Sequence, residues 1–393
     1  MKRIHQVGGE QLMLLQDGAE FFSQLCADIE AAQHSIYLET YIYADDATGR
    51  MVADALLRAA ARGVAVRMLL DGYGSAELPQ HWIDDLRTAG VEVQWFRREI
   101  SPFTLRRNRL RRLRRLHRKM AVMDGEVAFV GGINIIDDSA GMAEPGLPRL
   151  DYAVRVQGGL AGEVHAAMRH LWVVVSWATL RLRIRGLYRR SGRRDGQPDG
   201  GAALVLRDNV RHRRDIERAY LKAIAGAQRE IIIANAYFLP GRMFRRALVH
   251  AAQRGVRVQL LLQGRVEYRL QHYATHALYD RLLAAGIEIC EYQSGFLHAK
   301  VAVVDGEWAT VGSSNIDPYS LLLAREANLV VRDAGFAGEL RASLLEAIEK
   351  DALRIGPEYG SQRSRLGRLV ARLSYGIVRL LVGLTGQRRP GGA

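Results

Sequence analysis

Two stretches of this chain are copies of one another. Residues 117–134 recur 181 positions later as residues 298–315, with 11 of the 18 positions identical. Shorter echoes keep the same order. Arg62-Gly63-Val64 precedes an apolar run at 66–70, and Arg254-Gly255-Val256 precedes one at 258–262. Ala89-Gly90-Val91-Glu92-Val93 returns as Ala285-Gly286-Ile287-Glu288-Ile289, and Ala161-Gly162-Glu163 and Ala337-Gly338-Glu339 open matching helical patterns. Such a repeat constrains the fold more than any composition figure, because both copies must adopt the same arrangement of elements. Two homologous halves are expected.

Within each half, short apolar and aromatic runs alternate with helical periodicity. Residues 35–43, 65–70, 91–96, 120–123 and 153–156 read as strands, with helical stretches at 50–62 and 80–89. The second half repeats this at 230–237, 256–262, 287–292, 301–304 and 327–332. Strand, helix, strand with a glycine just after the helix predicts an α/β fold, sheets with helices on their faces. The expected organisation is a first half over residues 1–180, a linker with seven arginines over 181–202, a second half over 203–355 and a tail over 356–393. At 48% hydrophobic residues the chain has ample material for a core, which excludes a disordered protein. Two cysteines, Cys26 and Cys290, are too few for a disulfide framework or a thiolate metal cluster, and point to a reducing, cytoplasm-facing compartment. Residues 1–16 hold neither the apolar core of a signal peptide nor a membrane-spanning run, so neither is expected there.

The net charge of +14 favours an anionic partner: nucleic acid, anionic lipid or a phosphorylated substrate. Only five of the 56 cations are lysines, and two of those five stand at the same place in the repeat. Each copy reads His-x-Lys-x4-Asp: His117, Lys119 and Asp124, then His298, Lys300 and Asp305. In an extended segment, positions i and i+2 share a face, so His and Lys project together while the residue between them faces away. Each copy ends in a turn carrying an amide, Gly131-Gly132-Ile133-Asn134 and Gly312-Ser313-Ser314-Asn315, able to offer donors to phosphate oxygens. A lone His-x-Lys would mean a partly buried histidine beside a solvated lysine. Two copies with identical His-to-Asn spacing mean more. If the halves face each other, one site gathers two imidazoles, two ammonium groups and two amides, a set suited to phosphodiester chemistry. One neutral histidine attacks phosphorus, and the other, protonated, gives its proton to the departing alkoxide and later takes one from the acceptor alcohol. The lysines and asparagines stabilise charge on the non-bridging oxygens. No carboxylate cluster or His/Cys ligand spacing accompanies the motif, so neither a metal nor another cofactor is expected.

These paired motifs resemble those of the phospholipase D superfamily. Further segments extend the likeness to its bacterial cardiolipin synthases over about 350 residues: Leu69-Leu70-Asp71-Gly72-Tyr73-Gly74-Ser75, Arg207-Asp208-Asn209, Asp215-Ile216-Glu217-Arg218, Ile232-Ile233-Ala234-Asn235-Ala236-Tyr237-Phe238 and the run 308–315. The resemblance implies two α/β/α halves with the active site at their interface, and transfer of a phosphatidyl group between two phosphatidylglycerols with release of glycerol. It implies that His117 and His298 are nucleophile and acid/base, and that Lys119, Lys300, Asn134 and Asn315 contact the phosphate. Asp124 and Asp305 complete the catalytic motif, although in the superfamily these aspartates often support the strand-turn geometry. The carboxylates that orient the histidines tend to come later, and Asp151 and Glu326 are the candidates.

Two basic segments bear on the partner. Residues 97–118 hold ten arginines in a 15-residue excess of the first half over the second, directly before His117. In the tail, Arg365, Arg368, Arg372 and Arg379 share one helical face. Leu366, Leu369, Val370, Leu373, Ile377, Leu380, Leu381 and Leu384 share another. That is a basic amphipathic helix of the kind that lies in an anionic membrane interface, with too many arginines to span. Residues 171–187, with Trp172 and Trp177, offer a second candidate anchor. The expected protein is a peripheral enzyme on the cytoplasmic side of the cell membrane, acting on phosphatidylglycerol, with no nucleic acid and no obligate protein partner. The competing readings are a phospholipase D-type hydrolase or nuclease with the same histidines, and a non-catalytic binding module, which would be expected to have lost a motif residue.

Overall fold

The computed structural model describes residues 3–97, 115–137, 149–180, 201–208, 212–266, 268–317, 324–356, 358–359 and 364–386. Most of the arginine run at 97–118, the linker residues 181–200, Asn209 and the end of the tail lie outside the described residues.

The repeat becomes two eight-stranded mixed sheets. The first runs, in spatial order, His5–Val7, Glu10–Gln16, Tyr152–Gln157, Val127–Gly131, Lys119–Met123, Ser35–Thr40, Ala65–Asp71, Glu92–Phe96. The second runs Ala202–Arg207, Glu326–Arg332, Trp308–Gly312, Lys300–Val304, Glu230–Asn235, Arg257–Gln263, Glu288–Tyr292, Ala352–Ile355. Seven strands correspond one to one, and each sheet adds one edge strand of its own. Ser35–Thr40, Ala65–Asp71 and Glu92–Phe96 pair in parallel, joined by the helices Ala47–Ala61 and Gln80–Thr88. Asp46 caps the first of these helices, its carboxylate accepting from Gly49 N. The Lys119–Met123 strand pairs antiparallel with Ser35–Thr40 and carries the motif into the middle of its sheet, as Lys300–Val304 does in the other.

Each sheet buries both faces. The outer face of the first packs on Asp17–Ala31 and Ala47–Ala61 through Phe22, Leu25, Val52 and Leu56; that of the second packs on Asp215–Gly226 and Arg242–Gln253 through Ile216, Tyr220, Phe244 and Leu248. The inner faces share one core with the helices Gly159–Leu180 and Ala334–Lys350, drawing on Val154, Val156, Val164 and Met168 from the first half and Leu329, Val331, Leu340 and Leu344 from the second. At about 1.5–3 kcal/mol for each large apolar side chain buried, this shared core holds the halves together. Leu171, Trp172 and Val175 belong to it, so this part of the 171–187 anchor candidate packs inside the protein.

The tail forms the helix Arg365–Gly386 and packs beside Arg269–His276. Its buried flank is Ala371, Ser374 and Val378, and Arg245 Nη1 donates to Tyr375 Oη at 2.6 Å. The leucine face is turned outward: Leu366 is 70% exposed, Leu373 57% and Leu380 64%, with Leu369 and Ile377 also exposed. Among the described residues, no helix is long and apolar enough to cross a membrane.

Candidate active site

The halves meet along the two motif segments. His117 N donates to Arg325 O, and His298 N donates to Leu150 O, both at 2.9 Å. The short strands Arg149–Leu150 and Phe296–Leu297 pair in parallel at the same junction. Each histidine is therefore anchored by backbone to the other half. Their side chains follow the same rule. His117 Nδ1 lies 3.1 Å from Glu326 Oε2, and His298 Nδ1 lies 2.6 Å from Asp151 Oδ2. Both carboxylates begin or directly precede the strand next to their own half's Gly or Ser turn and reach across to the partner half's imidazole.

Alternation on the motif strand does what its spacing predicts. Arg118 points away from the site into a buried ion pair with Glu39, 2.6 Å apart. Lys119 Nζ donates to His117 O at 2.8 Å. Lys300 is fully buried, with Nζ 2.7 Å from His298 Nδ1 and 3.5 Å from Asp151 Oδ2. Burial, reinforced by the proximity of Lys300, pulls the Lys119 ammonium down to about 7. Burial likewise brings Lys300 down to about 8, against the pull of Asp151. His117 is lowered by burial and by both lysines, with Glu326 opposing. His298 falls well below the usual imidazole range through burial and then the charges of Lys300 and Arg149. Burial and the neighbouring ammonium groups thus favour the neutral form of both imidazoles.

The asparagines close the turns. Asn134 and Asn315 are both buried; the Asn134 side-chain oxygen accepts from Ile42 N at 3.2 Å, while Asn315 Oδ1 has no hydrogen-bond partner among the described residues. The motif aspartates lie elsewhere. Asp124 and Asp305 occupy left-handed positions with φ of 54° and 55° at the far end of the strand. Each carboxylate accepts three backbone N–H groups from the start of the neighbouring strand: Gln33, His34 and Ser35 for Asp124, and Gln228, Arg229 and Glu230 for Asp305. Their contacts are those of turn supports, which differs from their inclusion with the catalytic set.

Three features of the site carried no signal in the repeat. Ser313 Oγ donates to Glu326 Oε2 at 2.6 Å, and burial of Glu326 is outweighed by His117, Lys119 and this hydroxyl, so its carboxyl sits below the usual range. The equivalent residue is Gly132, where a Cβ would lie 2.2 Å from Asp151 Oδ1. Asp151 thus lacks that donor, and burial raises its carboxyl. The Tyr41 ring packs on His117 at 4.9 Å and receives the Lys119 ammonium on its face at 5.3 Å. Asp71 and Gln263 brace the residues before the histidines, accepting from Leu116 N at 2.8 Å and Leu297 N at 2.7 Å. Of the basic run, Arg115 stacks over Tyr73 at 4.7 Å, beside this site. Among the described residues, no group of three or more His, Cys, Asp or Glu side chains is arranged to hold a metal ion.

Comparison with known proteins bears on the family of the two halves. A family profile described as "Cardiolipin synthase, PLD-like domain" matches residues 25–157 and 220–348, one stretch in each half. Cardiolipin synthase B of Shigella flexneri is 38% identical over 360 residues, covering 88% of this chain and 82% of that protein; the Escherichia coli K12 protein of the same name gives the same figures. Cardiolipin synthase of a Geobacillus species (strain WCH70) is 34% identical, covering 94% of this chain and 73% of its own. Among solved structures, the phosphatidylserine synthase of Haemophilus influenzae superimposes with a TM-score of 0.66 at 12% identity, covering 95% of this chain and 94% of that one, a likeness of fold. With a family profile on both sheets and relatives spanning most of its length, the chain belongs to the cardiolipin synthases built on a phospholipase D-like domain.

Proposed function

We propose that this protein joins two phosphatidylglycerol molecules into cardiolipin and releases glycerol, using its two histidines in a double displacement. One imidazole, its Nδ1–H held by a carboxylate so that Nε2 carries the lone pair, attacks the donor phosphorus. A phosphorus–nitrogen bond forms, the bond to glycerol oxygen breaks, and the second imidazole, which takes up a proton when the phosphodiester anion sits beside it, gives that oxygen its proton. The headgroup hydroxyl of a second phosphatidylglycerol then loses its proton to the same imidazole and attacks phosphorus. The phosphorus–nitrogen bond breaks and the first histidine is free again. Lys119, Lys300, Asn134 and Asn315 stabilise the non-bridging oxygens throughout. The observation that carries this reading is the reciprocal pairing of His117 with Glu326 and His298 with Asp151, which makes one two-histidine site from both halves.

The same proposal puts the protein on the cytoplasmic face of the cell membrane as a peripheral enzyme, with anionic phospholipid as its partner and no need of nucleic acid or an obligate protein partner. Supporting it are the exposed leucine face of the tail helix and the free thiols Cys26 and Cys290. The test is mass spectrometry of lipids after incubating the protein with phosphatidylglycerol vesicles in chelator. Cardiolipin and glycerol in equal amounts are expected. Phosphatidic acid alone would make the protein a hydrolase, and cleavage of added DNA without lipid turnover would make it a nuclease.

Asp124 and Asp305 are proposed as stabilising residues. Partial burial alone would raise each carboxyl, but the three N–H donors hold both below their ordinary value of 3.8. A carboxyl lowered on folding stabilises the protein above its unfolded pKa, and that contribution is lost as pH falls through the lower folded value, below about pH 4. Asp124→Ala or Asp305→Ala is expected to cost about 1 kcal/mol in urea unfolding at pH 7. The transfer rate of the folded variant should change less than about threefold on that scale, and a loss of more than a hundredfold with unchanged stability would return these residues to the chemistry.

A further inference from the structure

The proposed product carries two phosphodiesters joined through one glycerol, and the paired motif accounts for one of them. While phosphorus is under attack, the acceptor lipid's own phosphodiester must lie within the length of a glycerol headgroup from the histidines. Two anions that close repel each other in a buried site, so the second needs a cation of its own. Several arginines around the junction are already committed. Arg118 is buried against Glu39, the buried Arg207 donates to Ala324 O, and Arg115 lies over the Tyr73 ring.

Arg149 is not committed. It stands two residues before Asp151 in an extended run, so the two side chains share a face, while Leu150 between them is buried in the core. Asp151 Oδ2 lies 2.6 Å from His298 Nδ1, and Arg149 and Leu150 pair with Phe296 and Leu297, directly before His298. The charge of Arg149 acts on the reacting groups. Behind burial and Lys300 it is the next influence lowering His298, and behind burial it helps lower Lys300 against the pull of Asp151. The side chain is partly exposed, and its guanidinium makes no hydrogen bond or ion pair among the described residues. Its planar fork of donors matches the two non-bridging oxygens of a phosphodiester. The His117 side has no such group. Val154 pairs with Val130 and Leu329 with Val311, equivalent positions of the repeat, so Asp151 corresponds to Glu326 and Arg149 to Ala324.

We propose that Arg149 binds the phosphodiester of the acceptor phospholipid, holding the second anion beside His298 while the first reacts. The inference rests on the phosphatidyl-transfer reading and deepens it. It gives the acceptor a point of charge recognition, so a hydroxylated lipid that carries a phosphodiester is preferred over an uncharged alcohol. Ala324 leaves the His117 side without that point, so the acceptor is held from one side.

The full-length protein is assayed on phosphatidylglycerol vesicles containing methanol, and cardiolipin and phosphatidylmethanol are counted from the same reaction. Both products leave the same intermediate, so their ratio reports acceptor choice and is independent of how much enzyme is folded. Methanol brings no phosphodiester, so Arg149→Ala is expected to lower the cardiolipin to phosphatidylmethanol ratio about tenfold, the weight of one charge-assisted contact. Arg149→Lys keeps the charge without the fork, and its ratio should return to within about threefold of the wild-type value. An unchanged ratio in Arg149→Ala overturns the acceptor site while leaving phosphatidyl transfer intact, and if both products fall together Arg149 serves the donor phosphate or the fold instead. Should Arg149→Ala not fold, Arg149→Gln, which keeps the stem and loses the charge, reads the same ratio with the same force. If the wild-type protein makes neither product, the transfer reading itself falls, and this inference with it.

Discussion

His117→Ala and His298→Ala are each expected to lower cardiolipin formation by about a thousandfold or more, a loss of roughly 4 kcal/mol or more in transition-state stabilisation. The two variants should fail for different reasons, and a change of leaving group separates them. Glycerol leaves as an alkoxide and needs a proton, whereas p-nitrophenolate departs without one. A phosphate-labelled phosphatidyl ester of p-nitrophenol should therefore label the variant that keeps the nucleophile, under an alkaline quench that preserves phosphohistidine. The variant that lacks the nucleophile should stay unlabelled. Labelling of both variants would place the covalent bond on some other residue. Wild-type protein that turns over but never labels would replace the double displacement with a single one. Neither histidine can be swapped for a structural explanation, since both are held by backbone N–H bonds that an alanine keeps.

The repeat made the fold legible because a duplicated sequence demands a duplicated sheet, and the order of apolar runs followed the order of strands. Its edges were less legible. The short strands His5–Val7 and Ala352–Ile355 belong to one sheet each, so no echo marks them. The site was legible as residue types at fixed spacing, and the family resemblance named Asp151 and Glu326 as orienting carboxylates; which histidine each one meets was not legible. His117 and Glu326 stand 209 residues apart and meet only because the halves share a core. Ser313 and Gly132 mark the two turns as unlike in the sequence, which implies an unequal pair of histidines but not the direction of the inequality. In the folded protein the hydroxyl of one steadies Glu326, and a side chain on the other would collide with Asp151. The motif aspartates illustrate the opposite failure. Spacing grouped them with the histidines, yet a strand of five residues carries position 124 to the far end of the sheet from position 117. In the tail, the leucine pattern identified an amphipathic helix but could not say which flank faces the protein. Small residues, Ala371 and Ser374, make that flank, and they contribute little to any hydrophobic pattern.

That choice of flank makes the tail a sharp test of how the enzyme reaches its substrate. A helix docked through its leucines would lose stability when they are made polar. This helix is docked through Ala371, Ser374 and Val378 and turns its leucines outward, with Arg372 and Arg379 also exposed. The triple variant Leu369→Glu, Leu373→Glu, Ile377→Glu should therefore melt within about 2 °C of the wild-type protein, as exposed substitutions do. Its binding to phosphatidylglycerol vesicles is a different matter. Burying each of these side chains in the interface contributes about 1.5 kcal/mol at the low end, and each 1.4 kcal/mol is a factor of ten. The dissociation constant for vesicles is thus expected to rise at least about a hundredfold, and activity on vesicles to fall with it, while activity on phosphatidylglycerol dispersed in detergent persists. Ala371→Glu is the counterpart on the packed flank and should lower the melting temperature by several degrees, because it drives a charge into a buried contact. Wild-type binding should also weaken with salt, as the arginines beside the leucine face meet anionic headgroups across a distance that salt screens. Unchanged vesicle binding by the triple variant would remove the tail from the membrane, and a collapse of its melting temperature would mean that the leucines pack against protein after all.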